Sequence, residues 1–297
     1  MPKLNPLEIL MAVMVPLVWG MGFVFAKGAI HHFPPILLMA FRFTLTALVL
    51  VWFVPVPWGN LKKLFYIAII AAAIQYSLTF TGLAGLEAGL ASLIVQLEVP
   101  FLVLLGALFL QERPGAQKWA GILISFIGVG LMTQQDALSG SLWSVFLVIG
   151  GCFVWACGQV MVRSLKDIGG LQVTAWVAVF ATPQLFVMSA IFEAGQMEAI
   201  ANANRNVWLT VIYLGLVMTC FGYFLWNSLI RRHDVGVVAP FLLLLPVFSL
   251  IGGMLVLGEE PTAEKLLGGI VILLGVAIIT IRPRLFRKAR PTPTLSS

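Results

Sequence analysis

Charged side chains are scarce in this sequence. Only 10% of its 297 residues are Asp, Glu, Lys or Arg, whereas 60% are hydrophobic and the mean hydropathy is +1.02. A soluble domain carries about 25% charged residues, so this chain cannot cover a water-facing surface with polar groups. The composition excludes an ordinary soluble protein and predicts one whose solvent is partly lipid.

Histidine and cysteine are also rare, which bears on enzyme and metal chemistry. His31, His32 and His233 fall in predicted loops, so no catalytic cluster is expected at membrane depth. Three cysteines without paired spacing predict neither a disulfide framework nor a zinc site. The sequence has no glycine-rich phosphate loop followed by lysine, which argues against an ATP-driven step. We therefore expect no catalytic residue, no metal and no cofactor, and the chain is not expected to be an enzyme.

The apolar residues occur in runs of roughly the length that crosses a bilayer, about 20 residues. These runs are too long for barrel strands and lack two-residue alternation, so they are predicted to be helices, which satisfy their backbone hydrogen bonds internally. No small-residue cleavage site follows the first run, which is therefore expected to be retained. The ten predicted spans are 7–27, 35–54, 62–83, 88–110, 116–133, 142–163, 171–192, 207–230, 235–257 and 263–281.

Two stretches of the sequence are copies of each other. Residues 88–114 and 235–261 align at an offset of 147. These stretches are the matching parts of a longer repeat that divides the ten spans into two sets of five. Because five is an odd number, the second set must enter the membrane from the opposite face. Matched pairs at this offset are Gly89 with Gly236, Glu112 with Glu259, Pro114 with Pro261, Lys118 with Lys265, Gly121 with Gly268 and Gly128 with Gly275.

The predicted fold is therefore an all-α integral membrane protein with ten transmembrane helices, arranged as two inverted five-helix repeats around a central cavity. The first repeat is assigned to residues 1–134 and the second to residues 142–281. Glycines in the fifth and tenth spans are expected to allow close helix packing. The basic tail, residues 282–297, is rich in Pro, Thr and Ser and is expected to be disordered.

Positive charge is distributed unequally between the two sides of this topology. An even number of spans puts both termini on one side, and with the termini inside nearly all loop Lys and Arg residues face the cytoplasm. Only Arg205 and Lys265 face the other side. The positive-inside rule therefore predicts that both termini are cytoplasmic.

Short motifs at fixed places carry a resemblance to a known family. The first span has Trp-Gly-x-x-Phe, the second has Pro and Arg seven residues apart, and the fourth combines Ala-Ser-Leu, a proline and a terminal Glu-x-Pro. The residues are Trp19, Gly20, Phe23, Lys27, Pro35, Arg42, Ala91, Ser92, Leu93, Pro100, Glu112 and Pro114, with Pro246, Glu259 and Pro261 in the second copy.

Together these motifs resemble the ten-helix EamA-type permeases of the drug/metabolite transporter superfamily, and within it the bacterial aromatic amino acid exporters of the inner membrane. The resemblance spans residues 7 to 281. It implies a secondary transporter that exports amino acids, aromatic or neutral, through a central cavity by alternating access. The expected partners are a small-molecule substrate and the lipid bilayer, without nucleic acid, and a monomer suffices.

Polar side chains deep inside spans are the candidates for substrate binding. Gln96 and Glu98 lie about 12–15 Å into the fourth span by helical rise, where a carboxylate is costly unless it faces water, pairs or is protonated. Arg42 lies at a similar depth and is expected to pair with Glu98 or with a substrate carboxylate. The alternatives are a helix contact closed by Glu98 and an Arg42 side chain that reaches toward the headgroups.

Four aromatic residues related by the repeat are the other candidates. Trp19 and Trp155 lie near the midplane, and Tyr76 matches Tyr223 at the offset of 147. Buried indole N–H and phenol O–H groups need hydrogen-bond partners, which a substrate cavity would supply, although core packing is the alternative for each. The prolines of the two copies, Pro100 and Pro246, are candidate hinges or static kinks.

Other functions stay open at this point. A multidrug, sugar or nucleotide-sugar transporter is the main alternative. The small multidrug relatives use a carboxylate in their first helix, and this chain has none between Leu10 and Lys27. A nucleotide-sugar substrate is expected to need more deep cations than Arg42. An intramembrane enzyme and a structural membrane protein are the remaining alternatives, and the inverted repeat argues against the second.

Overall fold

The computed structural model describes residues 4–109, 114–132, 142–165, 167–233 and 235–280, and all regular elements within these ranges are helical. Each of the ten predicted spans corresponds to a helix, which confirms the prediction of a multi-pass helical membrane protein. The predicted tail and the junction between the predicted repeats lie outside the described residues.

The helices follow one another through short connections. Nine of those described are long and apolar enough to cross a membrane, and a further one, α5, has 17 residues. A helical turn, Val235–Val238, precedes α10. The helices are α1 (Pro6–Ile30), α2 (Pro35–Phe53), α3 (Leu61–Ala84), α4 (Ala88–Phe109), α5 (Ala116–Met132), α6 (Leu142–Val162), α7 (Gly170–Phe192), the short α8 (Gln196–Ala201), α9 (Arg205–Ile230), α10 (Ala239–Leu257) and α11 (Ala263–Thr280).

Local sequence explains where α1 begins. The side chain of Asn5 accepts a hydrogen bond from the backbone N–H of Glu8, and the Glu8 carboxylate accepts one from the N–H of Asn5. This reciprocal cap satisfies two donors that the helix leaves free. Pro6 occupies the first helical position, where its missing N–H costs nothing and its fixed φ favours the helix.

Helices α3 and α9 each contain a π-helical segment. The segments span Ile69–Ile74 in α3 and Tyr213–Phe221 in α9, and they end two residues before Tyr76 and Tyr223 respectively. Such segments are rare and are frequently found at functional sites. Both predicted substrate tyrosines therefore follow an irregularity of this kind.

Helices α4 and α10 are broken next to their prolines. In α4 the backbone forms a turn at residues 96–97, and the Gln96 carbonyl accepts its hydrogen bond from Val99 N at 3.2 Å, because Pro100 has no N–H to offer. In α10 a 3₁₀ segment, Ala239–Leu244, precedes Pro246, which lies in the first turn of the α-helix that follows. Each proline thus lies in the first turn of a new α-helical segment.

Close packing of α5 against α11 depends on glycine. A Cβ on Gly121 would lie 2.6 Å from the Gly275 carbonyl oxygen, and one on Gly128 would lie 2.8 Å from the Gly268 carbonyl oxygen. The expectation of close approach at these glycines is confirmed. Elsewhere in the bundle α2 packs on α7, α4 on α10, α1 on α9 and α10, and α6 on α3 and α4.

Candidate functional site

Arg42 is the central charged side chain of the bundle. It extends from α2 and is only 2% exposed. Its Nε donates to Thr219 Oγ1 at 3.1 Å, and its Nη2 donates to the Tyr76 hydroxyl at 3.4 Å. The guanidinium carbon also lies 4.7 Å from the centroid of the Tyr76 ring, within the range of a cation–π interaction. Two neutral hydroxyls and an aromatic face therefore surround this cation.

Arg42 does not form the ion pair with Glu98 that the sequence suggested. Within the described residues no carboxylate lies within 4.0 Å of the guanidinium. Its third polar contact is to the sulfur of Met39, 3.8 Å from Nη1. The alternative, in which Arg42 extends toward the headgroups, does not hold either, because the side chain is buried against α3 and α9. The structure thus leaves Arg42 without an anionic partner among these residues.

Trp19 joins α1 to α9. Its Nε1 donates to the Met218 carbonyl at 3.1 Å, and its ring centroid lies 5.3 Å from that of Tyr223 and 6.2 Å from that of Trp226. Glycine at position 222 is necessary for this arrangement, since a Cβ there would lie 3.0 Å from Trp19 Cδ1 and closer still to Nε1. The indole therefore has its hydrogen-bond partner on the π-helical segment of α9.

Tyr76 is held within a group of aromatic rings. Its centroid lies 4.9 Å from that of Phe43 and 5.7 Å from that of Phe80. Phe80 in turn stacks on Phe23 of α1 at 5.9 Å. These contacts fix the orientation of the Tyr76 hydroxyl, which faces Arg42.

Glu98 lies near the same group without a bond to it. It begins the second segment of α4, directly after the break, and is half-buried. The Tyr223 hydroxyl is within electrostatic range of Glu98, Arg42 and Tyr76. The Glu98 carboxylate has no hydrogen-bond or ion-pair partner in the described part of the chain. Five of the seven predicted substrate residues, Trp19, Arg42, Tyr76, Glu98 and Tyr223, are thus gathered in one region; we call this group the midplane cluster.

Gln96 and Trp155 are not joined to the midplane cluster by any recorded contact. Gln96 is 8% exposed and lies in the break of α4. Trp155 is half-buried on α6. Gly151 and Gly158, four residues before it and three after it, face Thr79 and Ala71 of α3, so Trp155 shares this helix face. It therefore lies opposite the stretch of α3 that contains Tyr76.

Sequence reasoning missed three groups in this region. They are the Thr219 hydroxyl, the Met218 carbonyl and the side chain of Gln75. Gln75 is 4% exposed; its Nε2 donates to Thr79 Oγ1 at 3.1 Å, and its Oε1 has no partner among the described residues. A buried amide oxygen without a partner is costly. The polarity of Gln75 in an apolar run was a visible signal, whereas the role of Met218 depends on a π-helical backbone that no residue pattern indicates.

Two cavities open at the end of the bundle where α1 ends and α9 begins. The larger, of about 420 Å³, is lined by the C-terminal end of α1, by the N-terminal end of α9, and by Val256 and Leu257 of α10. The smaller, of about 270 Å³, lies between His32 and the α7–α8 loop. Neither cavity is lined by any of the seven predicted substrate residues, so the central cavity itself stays a prediction.

Comparison with known proteins identifies the chain's relatives. Residues 6–134 and 142–281 match the EamA-like transporter family. A "probable amino-acid metabolite efflux pump" of Escherichia coli is 31% identical over 278 residues, which cover 90% of this chain and 93% of the relative. A protein of the same description from Salmonella typhimurium is 31% identical over 293 residues, which cover 94% of this chain and 97% of the relative.

The fold also has a counterpart among solved structures. One crystal structure superposes with a TM-score of 0.64 at 18% identity, and the match covers 93% of this chain and 97% of the other. At this identity the match shows the fold alone. A more distant relative, a "probable terminal-alkyne amino-acid exporter" of Streptantibioticus cattleyicolor, is 28% identical over 221 residues, 71% of this chain and 70% of the relative.

Proposed function

The chain belongs to the EamA-like transporter family, and we propose that it exports amino acids and related small metabolites by alternating access. The protein is a membrane transporter and not an enzyme. The finer statements, that the substrates are amino acids and that the direction is export, are supported by the names of the two relatives at 31% identity and by the chemistry of the midplane cluster.

The observation that carries the proposal is the buried Arg42. Burying a guanidinium costs several kcal/mol. The hydroxyls of Thr219 and Tyr76 contact this one, but no carboxylate of the described chain compensates its charge. A substrate carboxylate bound beside Tyr76 and Thr219 would supply that charge in the two-oxygen geometry that guanidinium prefers. Glu98, half-buried and unbonded nearby, would then receive the substrate's ammonium group, and Trp19 and Tyr223 would contact its side chain.

Helix packing supports the proposed inverted repeat. In the repeat, α1 corresponds to α6, and α3 corresponds to α9. Exchanging the two halves therefore converts the contact of α1 with α9 into a contact of α6 with α3. The structure contains both contacts. The glycine contacts of α5 and α11 behave the same way. At the offset of 147, Gly121 corresponds to Gly268 and Gly275 corresponds to Gly128. The contact of Gly121 with Gly275 is therefore repeated by the contact of Gly268 with Gly128. Such exchange is what a two-fold axis between the halves requires.

Alternating access needs elements that can bend at matched places. We propose that Pro100 and Pro246 are these hinges, because a backbone break lies directly before each of them. Gln96 lies at the first break, where its side chain can contact substrate as the two segments of α4 change their angle. Trp155, opposite α3, is proposed as the wall of the site on the α6 side.

The remaining assignments concern location. We propose that the protein lies in the bacterial inner membrane as a monomer with both termini in the cytoplasm. The excess of Lys and Arg in the loops on that side supports the orientation.

Counterflow in proteoliposomes tests the proposed substrate class. Vesicles containing the purified protein are loaded with unlabelled phenylalanine, tyrosine, leucine, UDP-glucose or ethidium, and uptake of the labelled counterpart is measured with and without a pH gradient. We expect counterflow for amino acids and none for the nucleotide sugar or the dye. Arg42→Gln is expected to abolish it, whereas Arg205→Gln, at an exposed position of α9, should transport normally.

The alternative outcomes are distinct. Flux of ethidium or UDP-glucose without amino acid flux would replace the amino acid proposal by the corresponding alternative. Full activity of Arg42→Gln would remove Arg42 from the substrate site. A pH gradient that drives uptake in the wild type but not in Glu98→Gln would identify Glu98 as the proton carrier.

A further inference from the structure

Charged side chains from three parts of the chain converge on the connection between α3 and α4. The first is Lys27, near the end of α1, whose Nζ donates to the carbonyl oxygens of Leu83 at 3.2 Å and Ala84 at 2.7 Å. These are the last carbonyls of α3, which have no partner within the helix. The negative end of the helix dipole also favours a cation at this place.

The second is Glu259, in the loop between α10 and α11. Its Oε1 accepts from the N–H of Ala88 at 2.7 Å, and its Oε2 accepts from the N–H of Gly89 at 3.4 Å. These are the first free donors of α4, at the positive end of its dipole. Gly253 lies against this carboxylate, and a Cβ there would overlap Oε2. The glycine therefore makes room for the cap.

The third is Lys265, in the first turn of α11. Its Nζ lies 2.6 Å from Oε1 of Glu87, and the two side chains are only 17% and 26% exposed. Lys27 is within electrostatic range of both Glu259 and Glu87. Two cations and two anions thus form one group, which we call the end clamp: Lys27, Glu87, Glu259 and Lys265.

Burial along α4 changes on passing from the end clamp to the midplane cluster. Every residue from 88 to 94 is buried, whereas between 98 and 104 only Pro100 is. The buried segment is sealed against α10, where Ser249 Oγ donates to the Ala88 carbonyl at 3.0 Å and a Cβ on Gly89 would lie 3.1 Å from Leu250 Cα. The two helices are therefore in close contact beneath the end clamp.

We propose that the end clamp is the gate that closes this end of the substrate path. Two of its contacts join the predicted halves, since Glu87 and the first turn of α4 belong to the first half, and Glu259 and Lys265 belong to the second. The break at residues 96–97 lets the first segment of α4 swing away from α10 as a short rigid unit. Opening at this end requires the contacts of Glu259 and Lys265 to break together, and Glu259 is the gating residue because it bonds the moving helix directly.

The inference requires that the protein transports, as its family does, but it does not depend on which substrate is carried. Its experiment reads the opening of the α4–α10 interface by thiol labelling, without a substrate. If the counterflow assay showed no amino acid transport, the labelling result would still stand. Equally, unchanged labelling would leave the proposed amino acid substrates unaffected.

The reporter is Ser249→Cys in a chain whose Cys152, Cys157 and Cys220 are replaced by Ala. Ser249 is fully buried beneath the end clamp, so a charged thiol reagent reaches it only when α4 and α10 separate. The protein is placed in nanodiscs, where both faces are accessible. Glu259→Gln keeps one oxygen that can accept but removes the negative charge of the cap; a loss of about 1.4 kcal/mol from this weakening corresponds to a tenfold change in the opening equilibrium. Glu259→Gln is therefore expected to raise the labelling rate about tenfold.

Glu260→Gln is the matched control. It makes the same chemical change one residue away, on an exposed side chain, and should leave the labelling rate of the reporter unchanged. Lys265→Gln and Glu87→Gln should each raise the rate, and the double variant should raise it no further than either single variant, because both remove the same bond. Thermal unfolding of each variant in detergent establishes that the fold is intact.

If Glu259→Gln and Lys265→Gln both fold and label at the rate of Glu260→Gln, the end clamp is a static pair of helix caps and not a gate. If Glu259→Gln fails to fold, Lys265→Gln decides alone, since its partner Glu87 precedes the helix and supports no backbone donor.

Discussion

Replacing Arg42 by Gln measures whether this buried cation has an anionic partner inside the protein. Breaking a buried ion pair costs about 3–5 kcal/mol, because one charge is left uncompensated. The structure instead surrounds Arg42 with Thr219, the Tyr76 hydroxyl and ring, and Met39. The two situations predict different stabilities for the same substitution.

The expected magnitude follows from the contacts. The two hydrogen bonds of the cation contribute about 1.5–3 kcal/mol each, and the cation–π contact contributes about 1–2 kcal/mol. Burial of the guanidinium, which is 2% exposed, costs several kcal/mol. These terms nearly cancel, so Arg42→Gln is expected to change the free energy of unfolding by less than about 2 kcal/mol, or a few degrees in Tm.

Substrate binding should separate function from stability at the same position. A ligand at 100 times its Kd stabilises the wild type by about 2.7 kcal/mol, so saturating phenylalanine should raise the Tm of the wild type measurably. Arg42→Gln should lose this increase while its ligand-free Tm stays close to that of Arg205→Gln.

Thermal unfolding in detergent, followed with and without ligand, provides both numbers. A ligand-free loss of 3 kcal/mol or more, by the scale for broken ion pairs, would refute the absence of an anionic partner. An unchanged ligand-induced shift in Arg42→Gln would refute its role in binding.

Two further substitutions test the packing of Trp19 and the cap at the start of α2. Gly222→Ala places a Cβ against the Trp19 indole and should lower the free energy of unfolding by about 1–3 kcal/mol, as overpacking does. The control is Gly150→Ala, whose Cβ would meet nothing nearer than 3.7 Å and which should be neutral or stabilising. Equal effects of the two variants on Tm would contradict the contact between Gly222 and Trp19. Glu193→Gln weakens the cap that the Glu193 carboxylate makes on the first N–H groups of α2 and should lower the free energy of unfolding by about 1–2 kcal/mol. Glu198→Gln, at an exposed position, should leave the free energy of unfolding unchanged. Chemical denaturation of both variants in detergent measures the difference.

The fold class could be predicted because it depends on properties that each segment carries by itself. The length and apolarity of the ten runs are sufficient for a helix in lipid, where no other single-segment structure satisfies the backbone. The breaks in α4 and α10 could be anticipated from Pro100 and Pro246, since a missing N–H acts locally. The repeat in the sequence also led to the inverted arrangement, which stays a proposal.

The candidate site was only partly predictable. Depth within a span selected Arg42, Glu98, Tyr76 and Tyr223, and these residues do lie near one another. Depth says nothing about the direction in which a side chain points, however. Of the two partners expected for Arg42, Glu98 forms no ion pair with it in the structure, and a substrate carboxylate stays a prediction. Trp155, at the same depth, lies opposite the stretch of α3 that contains Tyr76, but no contact among the described residues joins it to the midplane cluster.

Thus the sequence alone determined that this protein is a bundle of membrane helices and which deep side chains are costly to bury. Those properties follow from local hydropathy and backbone chemistry. Only the tertiary structure decided that Arg42 faces two hydroxyls instead of a carboxylate, that Trp19 bonds a π-helical carbonyl, and that Glu259 caps a helix of the other half. The contacts of Arg42 with Thr219, of Trp19 with Met218 and of Glu259 with Ala88 join residues more than 100 positions apart. Their formation depends on helix rotation and packing, which a linear pattern does not contain.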